Sequence, residues 1–466
     1  MSLNNTKIFR VKLLGAVIVA AVGASASSWV ALNASAADTN ADQTIAALEA
    51  TAAGLQKRIQ AMKDMDDVEN LVSAYGYYLD KQQWDDFTDL FADDATMEIS
   101  LRGVYVGKPS IRKALELFGP QNIEQNHVHN HMQLQPVIHI SEDGTKAWVR
   151  NRAFSQLGTY GRTGVWMGGV YENEYVKENG VWKIKHDHVF TTYFANYDKG
   201  WAFGPGGAAK PSDKIPPDRP ATVTYEAFPG VFIPPYHYKN PVTGPDAAAM
   251  AGHSTALPAD VESAQLVAVR DQLVAVATKV QHLEDEHAVV NLQRSYGLYV
   301  DKALWKETAD LFADDATLEI GGRGVFVGKK RVLEYLTWLA PKGLTYGLLF
   351  NHMQLQPLVT VAPDGKTAQL RARFFGQVGE YKKSGVWGMG TYENEYEKQD
   401  GVWKIKTLHA YFRMYTPYDK GWAKEAIPNT KPEKDLPPDR PPTVVHEQYP
   451  DPYIPPYHFK NPVTGK

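Results

Sequence analysis

The feature that most constrains this chain is a stretch that occurs twice. YGYYLDKQQWDDFTDLFADDATMEI, from Tyr75 to Ile99, returns as YGLYVDKALWKETADLFADDATLEI, from Tyr296 to Ile320. Matched positions differ by 221, as in 301 − 80. The same offset carries Asn130–Pro136 (NHMQLQP) onto Asn351–Pro357, Tyr171–Tyr175 (YENEY) onto Tyr392–Tyr396, and Pro235-Tyr236-His237 onto Pro456-Tyr457-His458. No insertion or deletion separates these anchors. One unit has been duplicated, so the function of the chain is that of a repeat used twice.

A length of 466 residues gives a prior of roughly three domains, which the repeat revises to two. We expect repeats at 41–200 and 261–421, proline-rich arms at 201–244 and 422–466, and a linker at 245–260. A net charge of −4 with no clustered Lys/Arg face argues against nucleic acid as a partner. The absence of cysteine excludes disulfides, thiolate metal sites and a cysteine nucleophile. At the start, Lys7, Arg10 and Lys12 precede an apolar run from Leu13 to Val22, and Ala34-Ser35-Ala36 follows. That is the pattern of a signal peptide over 1–36, cut after Ala36. The run is shorter than the ~20 residues of a spanning helix. The expectation is a periplasmic or secreted protein with no membrane attachment in its mature form.

Apolar spacing predicts a helix over 41–65 (Ile45, Leu48, Leu55, Ile59, Met62) and its counterpart over 261–283, both suited to helix–helix packing. A second helix is expected from Asp66 or Asp67, burying Val68, Leu71, Val72, Tyr75 and Leu79, then short helices at 84–91 and 108–118. From His127 onward the pattern is strand, with turns at Glu142-Asp143-Gly144 and Glu178-Asn179-Gly180. Helices followed by long antiparallel strands make an α+β unit. With few helices left to cover it, the sheet should bend into a cone plugged by the N-terminal helices, leaving a cavity between them. The arms carry Tyr225, Phe228, Phe232, Tyr236 and Tyr238, too many aromatics for a solvated spacer. They are expected to lie extended across a neighbouring unit.

Three places could carry chemistry. Asp80 and Asp301 sit near the end of an apolar-faced helix, Asp80 between Tyr77, Tyr78 and Trp84, with Tyr75, Tyr78 and Trp84 (Tyr296, Tyr299 and Trp305) as candidates to bind substrate. Burial there raises a carboxyl pKa and suits it to proton transfer; the plainer reading is a solvated acid paired with Lys81. His131 and His352 open a strand in which period-two alternation puts Gln133 (Gln354) and Gln135 on the same face. A silent structural histidine is the plainer reading. His127 and His129 share this parity, but their counterparts are Leu348 and Phe350, so no metal is expected. His188 and His409 share the inward parity of Trp182 and Trp403. Tyr171 (Tyr392) lies on the face opposite Glu172 and Glu174. Arg150 and Arg152 (Arg371 and Arg373) alternate on one face and suit either an acidic substrate or, as the plainer use, cross-strand pairing with Glu172 or Glu174. A carboxylate and a neutral imidazole meeting in one cavity are the parts of a general acid–base pair.

The motif Tyr-x4-Asp-x3-Trp at Tyr75, Asp80 and Trp84, together with Phe91–Thr96, Gly103–Gly107, Asn130-His131 and Asn179–Ile184, resembles SnoaL-like domains of the nuclear transport factor 2-like superfamily. The resemblance covers roughly Met65–Phe194 and Glu286–Tyr415 and implies the cone-shaped α+β barrel. Within it, the chain is similar to scytalone dehydratase, where such an Asp and His work as an acid–base dyad, matched here by Asp80/His131 and Asp301/His352. It departs at Leu79 (Val300), Phe154 (Phe375) and Tyr171 (Tyr392), where that family has tyrosine, histidine and asparagine.

The sequence therefore reads as two tandem cone-shaped α+β barrels, each a bent, mostly antiparallel sheet closed by helices and followed by an arm. The leading function is a cofactor-independent lyase, dehydratase or isomerase acting on a small hydrophobic, aromatic or polycyclic molecule in each repeat. The alternative is a non-catalytic hydrophobic-ligand binder or an assembly protein. The repeats are expected to pack as a pseudo-dimer, with room for a further homo-oligomer.

Overall fold

The computed structural model describes residues 39–245, 247, 264–461 and 463–464. The expected signal segment and nearly all of the expected linker lie outside them. By packing, the described residues form two compact units, 39–64 with 264–287, and the remainder.

In the smaller unit, Leu48, Leu55 and Met62 interleave with Leu266, Leu273 and Val280. Arg58 grips Glu284 through Nε at 2.8 Å and Nη2 at 2.6 Å. These are the stripes that the spacing assigned to helix–helix packing. The expected break near Asp66 does not occur. Helix α1 runs without interruption over Thr39–Asp80 and α5 over Ala264–Val300. Acids at 64, 66 and 67 resemble a helix start, but neither proline nor glycine is there to stop propagation.

The larger unit contains both repeats. The first comprises α2 (Trp84–Asp89), β1 (Phe91–Ile99), β2 (Val104–Val106), α3 (Gly107–Ala114), β3 (His127–Ile140), β4 (Lys146–Thr159), β5 (Thr163–Glu178), β6 (Val181–Asn196), α4 (Gly200–Phe203) and β7 (Pro205–Gly206). The second comprises α6 (Trp305–Asp310), β8 (Phe312–Ile320), β9 (Val325–Val327), α7 (Lys329–Leu339), β10 (Leu348–Val361), β11 (Thr367–Glu380), β12 (Ser384–Gln399) and β13 (Val402–Pro417). Strand order is β2-β1-β6-β5-β4-β3, with β7 on β6, and β10-β11-β12-β13-β8-β9. All pairs are antiparallel except β1–β6 and β13–β8. The architecture is α+β as expected, but the sheets are open, with edges at β2, β3, β9 and β10.

Each core lies between the C-terminal half of the long helix and the sheet. Val68, Val72, Tyr75 and Leu79 pack against Met97, Val149, Tyr171 and Ile184 in the first repeat. Each arm then covers its own short edge strand, Val104 bridging to Arg219 and Val325 to Arg440. The approach explains two glycines: a Cβ on Gly103 would sit 2.5 Å from Pro217 Cγ, and one on Gly324 2.6 Å from Pro438 Cγ. Thr222 and Thr443 seal the same edge by donating to Glu98 and Glu319. Further along, the arms still match, Arg150 Nη1 donating to Pro235 O and Arg371 Nη1 to Pro456 O, both at 3.0 Å. The first continues across the second repeat, where Tyr236 Oη donates to Leu298 O at 3.0 Å and Asn240 Nδ2 to Glu307 O at 2.9 Å.

Candidate active site

Asp80 ends α1 and His131 lies early in β3, and the fold brings them together in both repeats. The His131 backbone N–H donates to Asp80 Oδ1, and the His352 N–H to Asp301 Oδ1 at 2.5 Å. In the second repeat the ring itself turns toward the acid, with His352 Nδ1 3.8 Å from Asp301 Oδ1. Each imidazole lines an internal cavity while its aspartate stands behind it. Burial holds the His131 pKa well below the usual imidazole value and lowers that of His352 to about 4, with Arg152 a second cause for His352. Both rings are therefore neutral near pH 7. Burial raises the Asp80 carboxyl, against the pull of the His131 N–H and Lys81.

The cavities differ in size. The second is about 220 Å³, lined by Tyr296, Trp305, Phe374, Tyr392 and Phe412 among others; the first is about 50 Å³. Three exchanges to smaller side chains go with the larger cavity. Phe87, Phe118 and Met167 in the first repeat stand where the second has Thr308, Leu339 and Gly388. An apolar cavity of about 150 Å³ holds a benzene-sized molecule, so only the second has room for a ring.

Of the residues expected to bind substrate, Tyr75, Tyr171, Tyr296, Trp305 and Tyr392 line the cavities. Trp84 and Tyr78 do not; the Trp84 indole is spent on Gly119 O at 3.1 Å. Tyr299 packs outward on arm residue Tyr236, ring centroids 5.3 Å apart. Gln133 and Gln354 stand behind the tyrosines, Gln133 accepting from Asn151 and Gln354 from Gln293, both at 2.7 Å. Gln135 leaves the expected face altogether. It sits at φ 59° where the register slips between Leu134 and Val137, and its Nε2 donates to Arg294 O at 2.6 Å.

His188 and His409 are corrected for a related reason. In β6 the pairing steps from Glu174–His186 to Tyr175–Ile184, leaving Lys185 as an extra residue; β13 does the same at Lys406. An inserted residue inverts the parity of everything after it. Asp187 and Leu408 therefore point inward, and His188 and His409 outward, each stacked at 3.8 Å on the next aromatic, Phe190 or Tyr411. Arg150 and Arg371 pair across strands with Glu172 and Glu393 as the alternation implied.

Two groups escaped the sequence reading. Arg102 and Arg323 line the cavities, and each has its Nε buried without a hydrogen bond. Their identity at matched places of the repeat was the available signal. Asp187 is buried against Tyr75, whose Oη donates to it at 3.1 Å. Burial pushes its pKa to about 7. The folded protein thus keeps a proton that the unfolded chain has lost, and this contribution to stability declines as pH rises from about 4 to about 7. Asp187→Asn, which cannot titrate, should gain in urea midpoint relative to the unsubstituted protein across that window. Parallel curves would show the carboxyl to be ionised in the fold.

Solved structures similar to this chain include a candidate scytalone dehydratase from Novosphingobium aromaticivorans, 17% identical over 33% of this chain and 96% of that one, TM-score 0.28. Another is the hexachlorocyclohexane dehydrochlorinase LinA-type3 of Novosphingobium barchaimii, 21% identical over 30% and 93%, TM-score 0.27. The SnoaL-like domain matches residues 60–188 and again 281–409. With both repeats matched over more than half of its length, this chain belongs to the SnoaL-like domain family.

Proposed function

We propose that the second repeat is a cofactor-independent lyase-type site, in which His352 takes a proton from carbon as a leaving group departs or a double bond shifts. The observation that carries this reading is a neutral imidazole on the wall of a ring-sized apolar cavity, with a carboxylate behind its Nδ1. A carboxylate at Nδ1 favours the tautomer whose other nitrogen is free to accept a proton, and steadies the imidazolium that forms. Asp301 is thus a positioning residue. Arg323, held by Tyr335 Oη at 3.2 Å, is the cation available to a departing anion or developing oxyanion. Tyr296 and Tyr392 shape the floor.

The substrate class that fits about 220 Å³ is a one- or two-ring apolar molecule, smaller than the polycyclic end of the sequence-based range. The names of the similar proteins, a dehydratase and a dehydrochlorinase, support elimination over isomerisation. The signal-like N-terminus supports an exported setting.

A thermal-shift screen of small aromatic and halogenated cyclic compounds should find ligands that raise the melting temperature by mass action. Turnover of such a ligand, with loss of water or halide, tests the reaction; binding without turnover would favour a carrier. Because the base must be unprotonated and the His352 pKa is lowered to about 4, activity should hold through neutral pH and fall only as pH drops through about 4. A fall near pH 6.5 would place the working base elsewhere.

A further inference from the structure

The two repeats meet unequally: matched residues Phe154 and Phe375, and Trp166 and Trp387, face each other across the contact, but around them one face of each repeat is covered in one copy and exposed in the other. Arg152 of the first repeat reaches into the second, pairing with Asp301 and donating to Asn351. Its counterpart Arg373 is exposed, although Asp80 and Asn130, the counterparts of its targets, are both present. Trp201 is fully buried in the second repeat, Nε1 donating to Val378 O at 3.0 Å; Trp422 is 59% exposed. On the receiving side, Leu298 and Leu349 are 1% and 3% exposed beneath the first repeat, whereas their counterparts Tyr77 and Val128 are 72% and 48% exposed. An interface with a two-fold axis would bury both members of each pair.

The receiving face of the first repeat is also an open socket. A groove of about 890 Å³ runs past Val128, Leu157, Gly158, Tyr160 and Gly164. The matching residues of the second repeat, Leu349, Val378, Gly379, Tyr381 and Gly385, are those that hold Trp201 and Phe228. A Cβ on Gly379 would lie 2.8 Å from Trp201 Nε1, so glycine there admits the indole. At Gly158 the nearest atoms to such a Cβ are those of its own hairpin, Thr163 O and, at 3.3 Å, Gly164 Cα, with no indole among them, while Gly164 is covered by Tyr197.

We propose that a second copy of this chain fills the groove, docking Trp422 and Tyr449 in it as Trp201 and Phe228 dock in the second repeat, and bringing Arg373 to Asp80. The free plug and the free socket carry most of the chemistry of the joined pair: Arg, Trp and an aromatic ring on one side, Asp, Asn and a glycine-floored slot on the other, with Met414 in place of the Tyr193 that donates to Gln377. A small-molecule occupant would not explain why Trp422, Arg373 and Tyr457 are retained and uncovered together. Asp80 then gains the cation that Asp301 already has, so the site in the first repeat is complete only in the assembly.

Sedimentation velocity at tens of micromolar should show a species of at least two chains. Trp422→Arg and Val128→Asp, on opposite faces, should each raise the dissociation constant at least tenfold while leaving the far-UV spectrum and melting cooperativity in place. Mixed together, the two variants should recover a pair, since each retains one intact face. Should Trp422→Arg misfold, Arg373→Glu, at an exposed position, replaces it in the same experiment. A single-chain mass for the unsubstituted protein, or assembly that survives both changes, overturns the proposal. The mass readout is independent of catalysis, so failure of the proposed reaction leaves it standing.

Discussion

Replacing His131 and His352 together by glutamine is expected to lower turnover by roughly two orders of magnitude or more, the usual scale for loss of a general base. Glutamine is close in size and polar, so the cavity should keep its ligand and the ligand-induced rise in melting temperature should persist. The single variants should divide unequally. His352→Gln should account for most of the loss, because its cavity of about 220 Å³ accepts a ring and the first repeat's, at about 50 Å³, does not. Equal losses would mean that the first cavity opens to substrate. Unchanged turnover in the double variant would remove the imidazole from the reaction.

The second large effect is on stability. Arg152 is almost wholly buried, and its partners Asp301 and Asn351 belong to the other repeat. Arg152→Met should leave Asp301 as an uncompensated buried charge at a cost of about 3–5 kcal/mol, read as a lower urea midpoint. Removing both charges, in Arg152→Met with Asp301→Asn, should recover much of that loss, since no bare ion remains. Lys302, buried beside Arg152 and Arg150 and lowered to about 7 by burial first and these cations second, should regain basicity when Arg152 goes. If the double variant is no more stable than the single one, the pair was not supporting the interface.

Much of the local structure was legible because it is written in short-range periodicity. The apolar stripes of α1 and α5, the strand turns at Gly144 and Gly180, and the cross-strand pairing of Arg150 with Glu172 all follow from spacing alone. The approach of Asp80 to His131 does not follow from spacing, the two being 51 residues apart; the resemblance to scytalone dehydratase pointed to it, and the contact is carboxylate to backbone N–H in both repeats, with the second ring turned toward its acid. The inward place given to His188 failed because parity is reliable only until a residue is inserted. One extra residue at Lys185 handed that place to Asp187. Arg102 and Arg323 were overlooked because they lie in the turns between β1 and β2 and between β8 and β9, where no alternation marks a cation as facing inward.

Sequence alone determined that a single α+β unit was used twice, since the repeat and its periodicities are written along the chain; the approach of each acid to its imidazole spans 51 residues and is made by the fold. Only the tertiary structure decided that the copies are not equivalent. The same residue type is buried at Arg152 and Trp201 and exposed at Arg373 and Trp422. Burial depends on what lies across the interface, and this contact covers some matched residues together, Phe154 with Phe375 and Trp166 with Trp387, and others in one copy only.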